Sequence, residues 1–168
     1  MNDKLLENEV LELNKNFYSK VKAGKILQGK VKSIQPYGVF VELQKDIVGL
    51  LHIENISIGR IRHPAERFKV GQSIKVVVKK IDFDTGRIIL SHKELLGTWE
   101  ENIKNFNEGD IVKGIVRDKE KNGIFIELMP NLIGLAEYES GVSYGEEVEV
   151  KVKKILPERH KIKLVILD

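Results

Sequence analysis

The sequence predicts a mainly β protein: two tandem, small closed barrels of five strands each, preceded by a helix and joined by a short helical linker. The first observation behind this is a phrase that occurs twice. Gly29-Lys30-Val31, Tyr37-Gly38-Val39-Phe40-Val41-Glu42-Leu43 and Gly49-Leu50-Leu51-His52 return as Gly114-Ile115-Val116, Asn122-Gly123-Ile124-Phe125-Ile126-Glu127-Leu128 and Gly134-Leu135-Ala136-Glu137. The offset is a constant 85 residues, with nine identities in the 27 positions from Ile26 to His52. Residues 71–91 return as 145–165 at an offset of 74, with eight identities in 21. Repetition of this kind marks two copies of one structural unit. The drop in offset means that the second copy lacks a stretch between Ile53 and Val70. The second observation is that each copy is built of short runs with period-two alternation and glycines inside them, bounded by turn residues.

Taken in order, residues 3–22 read as a helix. Leu6, Val10, Leu13, Phe17 and Val21 form one apolar stripe, opposed by Glu, Lys and Asn. Such a stripe packs on the first barrel or takes a partner. Five strands follow near 25–34, 37–43, 47–53, 73–82 and 86–91, with Asp84-Thr85-Gly86 as the hairpin turn between the last two. The gap 54–72 contains Pro64 and no strand pattern, so it is a long loop with room for a short helix. Between the copies, Ser91…Glu94 and Thr98…Glu101 both have capping-box spacing, with Gly97 between them. They predict a broken helix whose stripe is Trp99, Ile103 and Phe106. Trp99 is there to pack or to stack on a base. The second set of strands lies near 110–118, 123–128, 132–137, 147–156 and 161–166. Five short strands with one long connection after the third are the pattern of a Greek-key barrel, the OB-fold. The expected organisation is therefore a helix over 1–23, a first barrel over 24–92, a linker over 93–108 and a second barrel over 109–168.

Composition narrows the function. Of 168 residues, 42% are hydrophobic and 32% charged, which is ordinary for a soluble protein. There is no cysteine, hence no disulfide framework and no thiolate metal site. No apolar run approaches the ~20 residues that span a bilayer. Met1-Asn2-Asp3 does not begin a signal peptide. A cytoplasmic protein with no membrane partner is the expectation. The net charge of +3 is unevenly spread. Residues 24–92 carry twelve Lys and Arg against six Asp and Glu, whereas residues 109–168 carry ten against eleven. A basic first copy suits a polyanion.

The candidate site follows from strand parity. Val39, Val41 and Leu43 share one face and fill the barrel, so Phe40 and Glu42 point outward; Phe125 and Glu127 do the same in the second copy. An aromatic ring on the wet face of a small barrel is a stacking platform for a base, unless the loop 54–72 or the N-terminal helix covers it. Strict alternation puts Tyr37 opposite Phe40, and a twist or bulge at Gly38 brings both to one side. His52 ends the third strand, where the apolar pair Leu50-Leu51 leaves its orientation undecided. Asp82 and Arg87 flank the last hairpin, either as a surface ion pair or as a phosphate- and base-contacting pair. Lys30 and Lys32 add positive charge on the first strand. His52, His63, His92 and His160 show no ligand spacing, so no metal and no other cofactor is expected.

These residues carry a resemblance. Gly29-x-Val31, Tyr37-Gly38-x-Phe40-Val41, Gly49-Leu50-Leu51-His52-Ile53, Phe68-Lys69-Val70-Gly71-Gln72 and Ile81-Asp82…Gly86-Arg87-Ile88-x-Leu90-Ser91 resemble the S-one RNA-binding domain. That domain is the OB-fold repeat of the largest small-subunit ribosomal protein, also found in exoribonucleases and translation factors. The linker Trp99-Glu100-Glu101-Asn102-Ile103 is similar to the one between its consecutive repeats. The resemblance implies an RNA-facing set of Tyr37, Phe40, His52, Asp82 and Arg87. In the second copy the matching positions are Asn122, Phe125, Glu137, Leu156 and Lys161. That copy is degenerate and is expected to bind RNA weakly or not at all, with Phe125 and Lys161 as a weak secondary site.

The expected function is non-enzymatic binding of single-stranded RNA in translation or RNA metabolism. Single-stranded DNA is a second ligand that stacking alone admits. The competing reading is a protein-interaction module. In it the second barrel and the N-terminal helix dock a ribosome, a nuclease or another RNA-processing protein. Catalysis has no support: there is no Walker loop, no nucleophile elbow and no histidine–carboxylate–nucleophile set.

Overall fold

The structure, a computed structural model, describes residues 3–167 and comprises two compact units. The first contains α1 (Asp3–Lys20), β1 (Ile26–Gln35), β2 (Gly38–Gln44), β3 (Ile47–His52), β4 (Ser73–Asp82) and β5 (Arg87–Ser91). The helix ends two residues earlier than its stripe suggests. The side chains of Leu6, Val10 and Leu13 lie outside the described residues; Phe17 is half-buried and Val21 is buried. Hydrogen bonds tie the helix to the barrel. Gln44 Nε2 donates to Asn14 Oδ1 at 3.1 Å, and the Tyr18 hydroxyl donates to the Gly86 carbonyl at 3.5 Å.

The strands close in the order β1-β2-β3-β5-β4, with β4 returning to pair with β1. All neighbours are antiparallel except β3 and β5. Closure leaves no free edge for another chain to extend. The interior is the predicted aliphatic face: Val31, Val39, Val41, Leu51, Val76, Val78, Ile88 and Leu90 are each at most 1% exposed. β-branched side chains suit this site because they pack densely on a curved, pleated wall. The long connection after β3 contains two single 3-10 turns, Ile53–Asn55 and Pro64–Glu66. A reciprocal cap stops the second turn from fraying: His63 Nδ1 accepts from the Ala65 amide, and the Glu66 carboxylate accepts from the His63 amide.

The second unit consists of residues 57–61 together with 96–167. It holds α2 (Trp99–Ile103), β6 (Ile111–Glu120), β7 (Gly123–Met129), β8 (Leu132–Ala136), β9 (Glu147–Leu156) and β10 (Lys161–Ile166). Its barrel closes as β10-β8-β7-β6-β9, the same topology as the first, again with one parallel pair, β8 and β10. Thr98 caps α2 by accepting from the Glu101 amide at 3.1 Å, as its spacing predicts. Trp99, Ile103 and Phe106 pack against the second core. The Trp99 ring stacks on His160 at 4.8 Å and 8°, so the tryptophan is a packing residue.

Residues 57–61 belong to this unit by their bonding. The Gly59 amide donates to the Pro130 carbonyl at 2.8 Å, and the Ile58 amide to Asn131 Oδ1 at 3.0 Å. The Tyr144 hydroxyl donates to the Arg60 carbonyl at 3.2 Å. Beneath this segment one expectation fails. Glu127, placed by parity on a wet face, is only 5% exposed and pairs with the equally buried Arg117. Among the described residues no helix is long and apolar enough to cross a membrane.

Candidate nucleic-acid interface

Strand pairing lines up five outward side chains around the first barrel. Ser33 faces Phe40, Phe40 faces Leu50, Leu50 faces Ile89, and Ile89 faces Lys80. The middle three are half-buried and make a shallow apolar floor, while Lys80 is exposed at its end. Leu50, Ile89 and Lys80 were not found by sequence reasoning. The Leu50-Leu51 pair has no internal parity signal; its pairing with Phe40 and Val39 of β2 and with Ile89 and Leu90 of β5 shows that Leu51 goes in and Leu50 out.

The aromatic pair stands on this floor. Tyr37 lies in the turn before β2 and is 51% exposed. Its ring meets Phe40 edge to face, with centroids 6.2 Å apart and planes at 88°. Gly38 makes this possible. A Cβ there would sit 2.5 Å from the Leu51 carbonyl oxygen, so only glycine lets β3 come this close. The Ile53 amide then donates to the Tyr37 carbonyl at 3.0 Å and anchors the turn. His52 is the residue opposite Gly38 and is exposed, so it stands beside Tyr37 at the end of β3.

At the other end, Asp82 and Arg87 face each other across the β4–β5 hairpin. The Asp82 carboxylate is engaged by its own turn, accepting from the Asp84 amide at 3.0 Å and the Thr85 amide at 3.3 Å. The Thr85 hydroxyl and these two amides hold its carboxyl below the usual range. Asp82 thus orders the hairpin, and exposed Arg87 starts β5 two residues before Ile89 on the same face. Lys30 lies opposite Glu42, two residues along β2 from Phe40. Lys32 occupies the bulge between Val31 and Ser33 and is exposed.

The same row in the second barrel reads Asp118, Phe125, Leu135, Lys163 and Lys154. Its two ends have opposite character. Asp118 pairs with Arg60 at 3.6 Å, and Phe125 shares a depression with Ile58 and Arg60. At the far end a lysine replaces Ile89. Asn122 stands where the first barrel has Tyr37, so the ring pair is absent.

The closed five-stranded barrel is an OB-fold, and a half-open ring pair with a shallow apolar floor and surrounding cations is the kind of surface that nucleic-acid-binding OB-folds use. Residues 20–93 match the S1 RNA binding domain and belong to that family. The chain is 36% identical over 176 residues to small ribosomal subunit protein bS1 of Rickettsia typhi, with 96% of this chain and 31% of that protein covered. It is 31% identical to 4-hydroxy-3-methylbut-2-enyl diphosphate reductase of Clostridium acetobutylicum, covering 98% of this chain and 27% of that protein. The chain therefore spans about a third or less of the length of these curated relatives. The solution structure of GSP13 from Bacillus subtilis is 33% identical, with a TM-score of 0.45, covering 47% of this chain and 61% of that one.

Proposed function

We propose that the first barrel grips single-stranded RNA and does no chemistry on it. Tyr37 and Phe40 stack on bases, Leu50 and Ile89 form the floor beneath the strand, and Lys30, Lys32, Lys80, His52 and Arg87 meet phosphates. Asp82 holds the hairpin that presents Arg87. The observation that carries this reading is the Tyr37–Phe40 pair, set edge to face with the tyrosine half open to solvent beside the apolar floor of Leu50 and Ile89. Stacking faces are common to all bases, so little sequence preference follows. Relatives named as a small ribosomal subunit protein support a role in translation, in the cytoplasm and on the ribosome. The reductase relative supports the use of the same grip as one part of a longer chain.

The test is fluorescence anisotropy with a labelled oligonucleotide of about 12 nucleotides, RNA and DNA side by side. Phe40→Ala and Tyr37→Ala should each weaken binding by about 1–3 kcal/mol at constant salt. For the parent, log affinity should fall with log salt at about −0.7 per phosphate contacted. Variants that bind like the parent would remove the ring pair from the site.

A further inference from the structure

We infer that the second barrel is a polypeptide-recognition module whose ligand is this chain's own segment 57–61, held as an extended strap in a glycine-selective groove across β6, β7 and the β7–β8 turn. The strap alternates as a strand does. Ser57, Gly59 and Ile61 are buried, while Ile58 and Arg60 are exposed. Its main chain makes the bonds. The Ile58 amide donates to Asn131 Oδ1 at 3.0 Å, and the Gly59 amide donates to the Pro130 carbonyl at 2.8 Å. The Arg60 carbonyl accepts from the Tyr144 hydroxyl at 3.2 Å. Main-chain bonds give a peptide its affinity, and a position fitted to one side chain gives selectivity. The Arg60–Asp118 ion pair is largely exposed and adds little.

The fitted position is Gly59. Its φ is not in the left-handed region, so space and not backbone conformation demands the glycine. A Cβ there would land on the Glu127 carboxylate and 3.1 Å from the Pro130 carbonyl oxygen. The carboxylate cannot swing aside without leaving its buried partner Arg117 uncompensated. Arg117 lies against the Tyr144 ring, 5.9 Å from its centroid, and Tyr144 bonds back to the strap. Strap, carboxylate, guanidinium and tyrosine thus form a closed circuit. Asn131 is 5% exposed and is fixed in turn by donating to the Gly97 carbonyl at 3.1 Å.

The two copies divide the parts between them. Residues 57–61 lie in the stretch between Ile53 and Val70 that the second copy lacks. The first copy has the strap and no groove. Lys32, Asp46 and Val70 stand at the positions of Arg117, Asn131 and Tyr144, and all three are exposed. Loss of the ring pair from the second copy does not account for a buried ion pair beneath a glycine slot, whereas recognition of the strap accounts for both.

The experiment is amide hydrogen exchange on the full chain, with Trp99 fluorescence as the check that the second unit is folded. In the parent, the amides of residues 58 and 59 should exchange as slowly as those of β7 and β8. Gly59→Ala should speed both about 10-fold or more. Gly141→Ala is the control, because its new methyl group meets only Glu139 Oε1, at 3.9 Å, and it should leave them unchanged. Tyr144→Phe removes one donor and should speed them about 3-fold. Rapid exchange at 58 and 59 in the parent, or Gly59→Ala matching Gly141→Ala, would overturn the inference. Selectivity is read in trans on the Gly59→Val chain, in which the strap is displaced. The free peptide Ser57-Ile58-Gly59-Arg60-Ile61 is added at several millimolar, on the order of the effective concentration of a tethered segment. The Asn131 and Leu132 amides should shift with this peptide and not with the same peptide carrying Gly59→Val. No shift, or equal shifts with the two peptides, would overturn the recognition. If the Gly59→Val chain loses the folded Trp99 signal, the Gly59→Ala chain takes its place in this arm.

Discussion

Glu127→Ala tests the buried ion pair of the second barrel. The Glu127 and Arg117 side chains are each only 5% exposed, and nitrogen–oxygen contacts of 3.4 Å join them. Burial works against the guanidinium charge; the Glu127 carboxylate and the Tyr144 hydroxyl outweigh it, so the Arg117 pKa is raised. Removing the carboxylate leaves a cation in a site built around an anion, a loss of about 3–5 kcal/mol. For a unit this small, a urea m-value of roughly 1 kcal/mol per molar turns that into a midpoint shift of about 3–5 M. The assay is built into the chain. Trp99 is the single tryptophan and packs on the second core, so its fluorescence reports unfolding of this unit. Replacing both partners with apolar residues, Arg117→Met with Glu127→Leu, should recover most of the loss, because no uncompensated charge remains. The matching residue of the first barrel, Glu42, is only half-buried, and Glu42→Ala should cost under about 1 kcal/mol. A loss below about 1 kcal/mol for Glu127→Ala, or a double variant no better than the single one, would refute the argument.

Other outcomes follow from the first barrel. Asp82→Ala removes the acceptor for two turn amides; hydrogen exchange at 84 and 85 should rise, and RNA affinity should fall through the misplaced Arg87. Because the Asp82 carboxyl is held below its ordinary value, its contribution is full at neutral pH and above the unfolded-state pKa. It is lost as pH falls through the lowered folded-state value. An NMR titration of the side-chain carboxyl should have a midpoint below 3.8, and one above it would contradict the turn geometry. Lys80→Ala and Lys30→Ala should each flatten the salt slope of RNA binding by about 0.7, with an effect that does not depend on RNA sequence.

Much of the fold was readable because a small barrel leaves few choices. Period-two alternation in Val39-Val41 against Phe40-Glu42 assigned the inner and outer faces, and the structure keeps Val39 and Val41 fully buried. The Thr98…Glu101 spacing located the cap of α2. Legibility ended where alternation ends. Tyr37 is in a turn, where parity says nothing, and its approach to Phe40 depends on the close crossing of β3 at Gly38. The adjacent apolar residues Leu50 and Leu51 could be oriented only through their pairing partners, Phe40 and Val39 on β2 and Ile89 and Leu90 on β5. The bulge residues Lys32 and Lys153 face outward beside outward neighbours because the ladder skips a residue there.

The repeat, the strand set, the inner faces and the family were in the amino-acid order, because they rest on local periodicity and on spacing along the chain. Tertiary pairing decided which residues share a surface and which are covered: the row from Ser33 to Lys80 and the buried state of Glu127. The physical reason is that register and closure bring together residues tens of positions apart, and the energy that selects them comes from contacts that exist only once the barrel has closed.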